Sequence, residues 1–361
     1  MGKAQGLQSL GLCGVPASTR DAILPLTRCL LPIAFLLLHA APLLADSQSP
    51  AGHHAELAQR ISQLSDKDFR VRWYAVYALG QLGPQAAAAV GPLTQTLVNR
   101  QEDEYVRGGA AWALGRIGPS AATAVPALIE MLSSKLDSVR RNSAWALGNL
   151  GSTAEPAVPK LLGLIHDDDF MVRIHATVAL WQIQHRPQSL RSLAAMLRSG
   201  HESAPCAAAM ALGGLRRDAA PAIADLVEAL RGDDLDTARA AAWALGQIGP
   251  PALEPLHKLL ADPDVEIRRR AVESLGWIGP AALRGLIVAL KNDRPVARRA
   301  AARAIGRLGA DAAAAAPALI EAVNDPQSSV REEAARALQR VRIRQAAAAA
   351  GIDAIAPRKL S

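Results

Sequence analysis

The sequence predicts an all-α protein, a right-handed α-solenoid (superhelix) of about nine two-helix repeats. Three observations predict it. Half of the 361 residues are apolar but only 3% are aromatic, which supplies too few large side chains for one thick core. The tripeptide Ala-Leu-Gly, or a close variant of it, recurs nine times at nearly constant spacing. Between these recurrences, apolar residues follow the periodicity of a helix.

The register of the repeats is set by one leucine or isoleucine in each copy. These residues are Leu79, Leu114, Leu147, Leu180, Leu212, Leu245, Leu275, Ile305 and Leu338. Their successive spacings are 35, 33, 33, 32, 33, 30, 30 and 33 residues. Because one helical pair cannot bury its apolar face alone, neighbouring copies have to share a core. The sequence therefore predicts stacked repeats rather than two globular domains.

Each repeat is predicted to contain two helices joined by a polar loop. In residues 119–150, apolar residues recur at helical spacing on both sides of such a loop. Asp137 or Ser138 is a candidate N-cap for the second helix. Gly148 and Gly151 lie near the end of that helix, where a left-handed C-terminal residue would fit.

The second helices share the motif V-R-x-x-A-x-x-A-L-G-x-[IL]-G. It occurs as VRWYAVYALGQLG (71–83), VRGGAAWALGRIG (106–118), VRRNSAWALGNLG (139–151) and IRRRAVESLGWIG (267–279). The motif resembles HEAT repeats, and specifically the HEAT-like repeats of the phycobilisome lyase type. The fourth, fifth and ninth copies replace one or both of its glycines, so we expect different helix ends there. The resemblance also implies that the second helices line the concave side of the solenoid.

Residues 1–45 differ from the repeats and have the form of an export leader. Arg28 precedes the apolar run CLLPIAFLLL (29–38), and Ala45 precedes a polar stretch. The run is short for a membrane span of about 20 residues. We therefore expect a signal peptide and an exported protein of the periplasm or cell envelope, with an uncleaved membrane anchor or another kind of leader as alternatives. The predicted domains are the leader (1–45), a linker (46–53), the repeat solenoid (54–344) and an Ala-rich tail (345–361).

An arginine follows the first apolar residue of the second-helix motif in seven copies. These arginines are Arg72, Arg107, Arg140, Arg173, Arg268, Arg298 and Arg331. Acidic residues precede them in the loops: Asp68, Asp103, Asp137, Asp169, Asp264 and Asp293. We expect a structural ladder in which loop carboxylates and arginines tie neighbouring repeats together, with a basic binding stripe as the alternative. Pro205 interrupts this ladder in the fifth copy, and Arg239 is shifted by one position in the sixth.

Two enzyme families share this kind of repeat, but the residues here do not support their chemistry. The resemblance to deoxyhypusine hydroxylase would imply His-Glu pairs just after the Val-Arg dipeptide, as ligands for a di-iron centre. No such pair occupies those positions, and the dipeptide His201-Glu202 lies in a loop. Phycobilin lyases attach a chromophore to a partner subunit, and their repeat signature does not separate a lyase from a scaffold. We therefore predict no catalytic residue, no metal ligand and no cofactor.

The most variable position of the motif is the sixth residue after the first apolar one. It reads Tyr77, Trp112, Trp145, Val178, Met210, Trp243, Glu273, Arg303 and Arg336. In a helix this position lies about 120° from the core face, so it flanks or leaves that face. Aromatic residues and arginine dominate interface hot spots. The candidate partner-binding residues are Tyr77, Trp112, Trp145, Met210, Trp243, Arg303 and Arg336. The alternative is that the tryptophans pack between successive second helices.

The charge of the chain is uneven along its length. The net charge is +7, and residues 265–345 hold 15 Lys and Arg against 8 Asp and Glu. Clustered cations favour a polyanion, but interleaved acidic residues weaken this basic region, and nucleic acid is disfavoured as a partner. We expect a noncatalytic, monomeric protein–protein interaction scaffold with a protein partner of unknown identity. It would contact a membrane only through an uncleaved N-terminal segment. The alternatives are an enzyme of the HEAT-like group and a polyanion-binding module.

Overall fold

The structure is a computed structural model that describes residues 50–201 and 203–349. Within these ranges the chain forms 18 α-helices and no β-strand. They alternate as a first helix (A) and a second helix (B) in nine successive repeats. The A helices are α1 (Pro50–Gln63), α3 (Val90–Val98), α5 (Val125–Met131), α7 (Val158–Leu164), α9 (Pro187–Met196), α11 (Ile223–Arg231), α13 (Leu253–Leu259), α15 (Leu283–Ala289) and α17 (Ala316–Ala322). The B helices are α2 (Phe69–Leu82), α4 (Glu104–Ile117), α6 (Asp137–Leu150), α8 (Phe170–Gln184), α10 (Ala204–Gly214), α12 (Leu235–Ile248), α14 (Val265–Ile278), α16 (Pro295–Leu308) and α18 (Ser328–Ala349). The predicted all-α solenoid of two-helix repeats is confirmed.

The core lies between the layer of A helices and the layer of B helices. Each B helix packs against its own A helix, and successive B helices pack against each other. The leucine that set the register is buried in the B layer, as at Leu79, Leu114 and Leu147, and faces buried leucines of the A layer such as Leu93 and Leu128. Burying one such side chain stabilises the fold by about 1.5–3 kcal/mol. Stacking therefore supplies the core that one helical pair lacks.

Short 3₁₀ segments lead into most A helices, and sequence periodicity did not predict them. They span Gly83–Ala89, Gly118–Ala124, Gly151–Ala157, Arg216–Ala222, Pro250–Ala252, Pro280–Ala282 and Gly309–Ala315. Each contains a fully buried alanine, such as Ala86 or Ala121. At Ala121 the backbone leaves helical geometry, with φ −92° and ψ 18°. A small side chain lets this kinked segment pack closely on the core.

Most B helices end at a glycine with positive φ. Gly118 has φ 73° and ψ −144°, a conformation that is essentially restricted to glycine. Gly151, with φ 63° and ψ −139°, is therefore not in the left-handed α conformation that the sequence suggested. In the fourth and fifth repeats, His185 and Arg216 take positive φ instead. The ninth B helix continues to Ala349, so the helix ends of the three divergent copies do differ.

Aspartates cap several B helices at their N-termini. Asp68, Asp103, Asp169, Asp234 and Asp264 each accept a hydrogen bond from a backbone N–H of the first turn. The predicted cap of α6 was wrong. That helix begins at Asp137 and follows Leu136, which makes no side-chain capping bond.

The predicted domain boundaries meet the helices at both ends of the repeat region. Helix α1 begins at Pro50, inside the predicted linker 46–53, and α18 crosses residue 345 into the predicted tail. The predicted leader, 1–45, lies outside the described residues. Across residues 50–201 and 203–349, no helix is both long enough and apolar enough to span a membrane.

Candidate partner-binding surface and arginine ladder

Positions in each B helix are counted here from the first apolar residue of the motif, so the ladder arginine is position 1 and the glycine of Ala-Leu-Gly is position 9. The tryptophans at position 6 lie against the position-9 glycine of the preceding repeat. A Cβ atom added to Gly80 would lie 2.2 Å from Cζ3 of Trp112. The same pairing joins Trp145 to Gly115 and Trp243 to Gly213. Each glycine thus makes a hollow in one B helix, and the indole ring of the next B helix fills it.

Where position 6 is not a tryptophan, position 10 can fill the hollow instead. Val178, Glu273 and Arg303 occupy position 6 in repeats four, seven and eight. In these repeats the groups beside the preceding glycine are Gln182 at Gly148, Trp277 at Gly246 and Arg307 at Gly276. Sequence reasoning missed these position-10 residues. The available signal was a long side chain at position 10 in the three repeats concerned, which lack an aromatic residue at position 6.

The predicted partner-binding residues differ in exposure along the chain. Tyr77, Trp112, Trp145, Met210 and Trp243 are half-buried, whereas Arg303 and Arg336 are exposed. The tryptophans therefore pack between successive B helices and keep part of each ring accessible. Packing and partner binding, the two alternatives for this position, are compatible with each other.

Aromatic rings form a continuous group across repeats one and two. The ring centroids of Trp73 and Tyr77 are 5.8 Å apart with nearly parallel planes, and those of Tyr77 and Trp112 are 5.6 Å apart in the same arrangement. Tyr74 meets Trp73 edge-on at 5.1 Å and is 62% exposed. The Arg116 guanidinium lies 6.0 Å from the ring centroid of Trp112. We call these five residues the aromatic surface.

The basic C-terminal repeats contain both paired and unpaired arginines. Arg336 lies 3.3 Å from Glu332 and 3.4 Å from Glu333, so carboxylates of its own helix offset its charge. Among the residues described, the exposed arginines of these repeats that make no ion pair include Arg299, Arg303, Arg307 and Arg340. Although much of the Arg307 side chain is exposed, its Nη2 lies in the hollow at Gly276, and this partial burial together with the neighbouring Arg303 lowers the pKa of Arg307.

Arg140 shows the full geometry of the ladder. Its Nε and Nη2 donate to the two carboxylate oxygens of Asp167 at 2.9 and 2.8 Å, and its Nη1 donates to the backbone carbonyls of Ser134 at 2.9 Å and Lys135 at 3.3 Å. Although burial raises the pKa of Asp167, hydrogen bonds from Arg140 and from the Asp169 backbone leave it below its ordinary value. The arginine therefore joins the loop of its own repeat to the loop of the next one.

Two more arginines repeat this geometry, and the others keep part of it. Arg72 binds Glu102 and Arg298 binds Asp325 in the same bidentate way. Arg173, Arg268 and Arg331 each donate Nη1 to two loop carbonyls six and five residues earlier in the chain. Arg107 departs from the pattern: it is buried, and it donates to the carbonyl of Leu97 at 3.2 Å and to the sulfur of Met131 at 3.3 Å.

The carboxylates of the three bidentate pairs are not those that the sequence suggested. Glu102, Asp167 and Asp325 belong to the following repeat, whereas Asp68, Asp103, Asp169 and Asp264 cap helices. Asp293 lies 3.9 Å from Arg268, and Asp137 lies in the first turn of α6, where its charge helps to raise the pKa of Arg140. The acidic residue next to the B helix caps that helix. The carboxylate that binds the arginine of the preceding repeat therefore lies one or more residues before the cap.

No cluster of metal-binding side chains is present in the part of the chain that the structure describes. There, no group of three or more His, Cys, Asp or Glu side chains could hold a metal ion. Cys206 is buried in α10, and the His201 ring packs on Phe170 with centroids 4.5 Å apart. In His175 the ring nitrogen Nδ1 is buried, and burial lowers the pKa of this imidazole to about 3.

The repeats match a known family over most of the chain. The family model of HEAT repeats matches residues 55–148, 92–181, 125–213, 158–242, 223–286 and 283–355. The chain belongs to the HEAT-repeat family. This membership supports a repeat scaffold or interaction module.

Solved structures similar to this HEAT-repeat chain include a crystal structure of an engineered protein. It is 22% identical with a TM-score of 0.37, and the match covers 88% of this chain and 96% of that one. Human deoxyhypusine hydroxylase, solved in complex with glycerol, is also 22% identical, with a TM-score of 0.30 over 71% of this chain and 97% of that one. No curated protein matches the sequence.

Proposed function

We propose that this HEAT-repeat protein is a noncatalytic scaffold that binds a protein partner through the exposed side of its B helices. The aromatic surface is the observation that carries the proposal. Its rings are stacked on two packed helices, so they are held in place before a partner arrives. Binding to such preorganised side chains loses little conformational entropy. Large aromatic rings beside an arginine are also the residue types that contribute most to interface affinity.

The charges along the B helices indicate the chemistry of the partner. Repeats one to three offer half-buried rings, and Arg116 stands over one of them. Repeats eight and nine offer exposed arginines without carboxylate partners, among them Arg303 and Arg340. A partner that fits both ends presents apolar side chains towards the first repeats and carboxylates towards the last.

Tyr74 provides the sharpest test of the aromatic surface because it is exposed and fills no hollow. Partners captured from an envelope extract of the source organism would be identified, purified and titrated against wild type and Tyr74→Ala. Loss of a hot-spot side chain costs about 2 kcal/mol or more, so we expect affinity to fall by about thirtyfold. Tyr105→Ala is the matched control, since Tyr105 is 65% exposed on α4 and outside the aromatic surface. Equal affinity of both variants and wild type would show that the aromatic surface does not bind the partner.

Export is part of the same proposal. It is supported by the basic residue, the apolar run and the small residue at position 45 of the leader. The N-terminal mass of the protein purified from its source tests this point. A chain beginning at Asp46 in the envelope fraction is the expected result. An intact leader on a protein found in the cytoplasm would contradict it.

The unpaired arginines Arg299, Arg303, Arg307 and Arg340 support a second candidate function, the binding of a polyanion. Their positions on successive B helices could track a row of phosphate or sulfate groups. Retention on heparin should then fall steeply as the salt concentration rises. It should also be weaker in the double variant Arg303→Gln/Arg340→Gln than in wild type. Arg336→Gln is the control, because Arg336 is already paired with carboxylates of its own helix.

An enzyme of the HEAT-like group is the third candidate. Stoichiometric iron or bound tetrapyrrole in the purified protein would favour it over a scaffold.

A further inference from the structure

The fifth repeat lacks the ladder arginine, because Pro205 stands at position 1. In Arg140 the guanidinium binds two carbonyls of its own loop, six and five residues earlier, and a carboxylate of the next loop. The corresponding carbonyls in repeat five belong to Ser199 and Gly200. The corresponding carboxylate is that of Asp233, which precedes the N-cap Asp234 as Glu102 precedes the N-cap Asp103. Each group that binds the ladder guanidinium elsewhere therefore has a counterpart here.

The sixth repeat also lacks the ladder arginine, but two other arginines replace it. Arg270 reaches back from the next repeat and donates Nη1 to the carbonyls of Leu230 at 2.7 Å and Gly232 at 3.3 Å. Arg231 binds the loop carboxylate of Asp262 at 3.0 Å. In a repeat without an arginine at position 1, arginines from other positions can therefore bind the loop carbonyls and the loop carboxylate.

The fifth repeat has no such replacement. The residue that corresponds to Arg270 is Ala240, and Arg198, which corresponds to Arg231, forms an ion pair with Asp225 on α11. An open cleft of about 490 Å³ remains between the loops of repeats five and six, and Ser199, Gly200, Pro205 and Asp233 line it.

The polar groups of this cleft are suited to a cation, because the Arg198 guanidinium, which also lines it, is already paired with Asp225. Asp233 and Glu228 are exposed at its wall and make no ion pair with the rest of the described chain. The hydroxyl of Ser199 is buried there and has no hydrogen-bond partner among the described residues. Carbonyl oxygens at one side and a carboxylate at the other match the fork of donors of a guanidinium group.

We propose that this cleft binds an arginine side chain of a partner protein, whose guanidinium takes the place that Arg140 occupies in repeat three. Two of its nitrogens would donate to Asp233, and the third would donate to the carbonyls of Ser199 and Gly200. Lysine fits less well because its ammonium group lacks the planar fork. The site goes beyond the proposed function, since it lies in the loops of repeats five and six and not on the aromatic surface.

The test uses a short peptide, acetyl-Gly-Arg-Gly-amide, and its counterpart with neutral citrulline in place of arginine. Binding to the full chain would be measured by ligand-observed saturation-transfer NMR. We expect the arginine peptide to bind with a dissociation constant in the millimolar range and the citrulline peptide to bind about tenfold more weakly, because it lacks the charge. Equal binding of the two peptides would overturn the proposal.

Variants locate the site and separate it from the aromatic surface. Pro205→Arg supplies the missing guanidinium in cis and should abolish peptide binding, while Asp233→Asn should weaken it about threefold to tenfold. Asp311→Asn removes an exposed carboxylate of repeat nine and should leave it unchanged, as should Tyr74→Ala. Circular dichroism would establish that each variant is folded. If Pro205→Arg does not fold, the result for Asp233→Asn still tests the proposal. Unaltered binding in Asp233→Asn, or equal weakening in Asp311→Asn, would refute an arginine site in this cleft.

Discussion

Gly80 allows a direct test of the hollow-and-ring packing between B helices. A methyl group at this position would lie 2.2 Å from Cζ3 of Trp112. Since carbon atoms pack at about 3.5–4.0 Å, the ring or the helix would have to move by roughly 1.5 Å. Gly80→Ala therefore forces the two B helices apart or displaces the indole.

The expected cost follows from two opposing effects. Overpacking of this kind lowers the free energy of unfolding by about 1–3 kcal/mol. Because the indole ring is stiff, we expect a loss near the upper end of this range. Alanine gains up to about 1 kcal/mol over glycine from helix propensity. The net loss in the free energy of unfolding should be about 2 kcal/mol. In a Trp112→Val background, which copies position 6 of repeat four, the contact with the ring is removed, so Gly80→Ala should destabilise by at least about 1 kcal/mol less than it does beside Trp112.

Urea denaturation, monitored by far-UV circular dichroism, would measure the change in the free energy of unfolding in both backgrounds. Because repeats can unfold separately, native-state hydrogen exchange would show which repeats are destabilised. Gly163→Ala is the control, since a Cβ there meets nothing within 4 Å, and it should stabilise slightly. Distant, independent sites add within about 0.5 kcal/mol. If Gly80→Ala has the same effect with and without Trp112, the ring does not fill this hollow.

Three further predictions concern the backbone, the ladder and pH. Gly118→Ala should lower the free energy of unfolding by about 1–3 kcal/mol because φ is 73° and ψ is −144°; an unchanged urea midpoint would contradict the strain. Arg140→Gln and Asp167→Asn should each destabilise by about 1–3 kcal/mol, and the double variant should lose much less than their sum; strict additivity would show that the bidentate pair is not coupled. Burial lowers the pKa of His175 to about 3, so the unfolded chain, with an ordinary pKa near 6.5, binds the proton more readily between these values. Stability should therefore be full above about pH 6.5 and fall by up to about 1.4 kcal/mol per pH unit below it, and the difference between wild type and His175→Leu from pH 7.5 to 5 measures this.

The repeat architecture could be predicted because several independent signals recur in each copy. The leucine at position 8 is buried in nearly every repeat, and the period follows directly from it. The helix end at Gly151 was located correctly, but its backbone conformation was not. A recurring glycine at a helix end indicates that the backbone there has a positive φ. The value of ψ depends on the path of the segment that follows. Here the chain turns directly into a 3₁₀ segment.

The candidate site was less predictable because its residues act across repeats. For Trp112 the sequence left open whether the ring binds a partner or packs between second helices, and nothing local showed that Gly80 of the previous repeat receives the ring. The bridging carboxylate of Asp167 was likewise hidden by the neighbouring Asp169, which is better placed to cap. Such pairings depend on which residues face each other after stacking, and a single helix does not contain that information.

The alternation between positions 6 and 10 has a consequence for how this chain can diverge. Trp145 cannot be exchanged for a small or charged residue without opening a void beside Gly115. A large side chain at residue 149 has to arise first, as the arrangement of Trp277 beside Gly246 illustrates. The order of substitutions is thus constrained. Relatives that acquire a new residue at position 6 should already carry a bulky one at position 10, and the reverse order should be rare among their sequences.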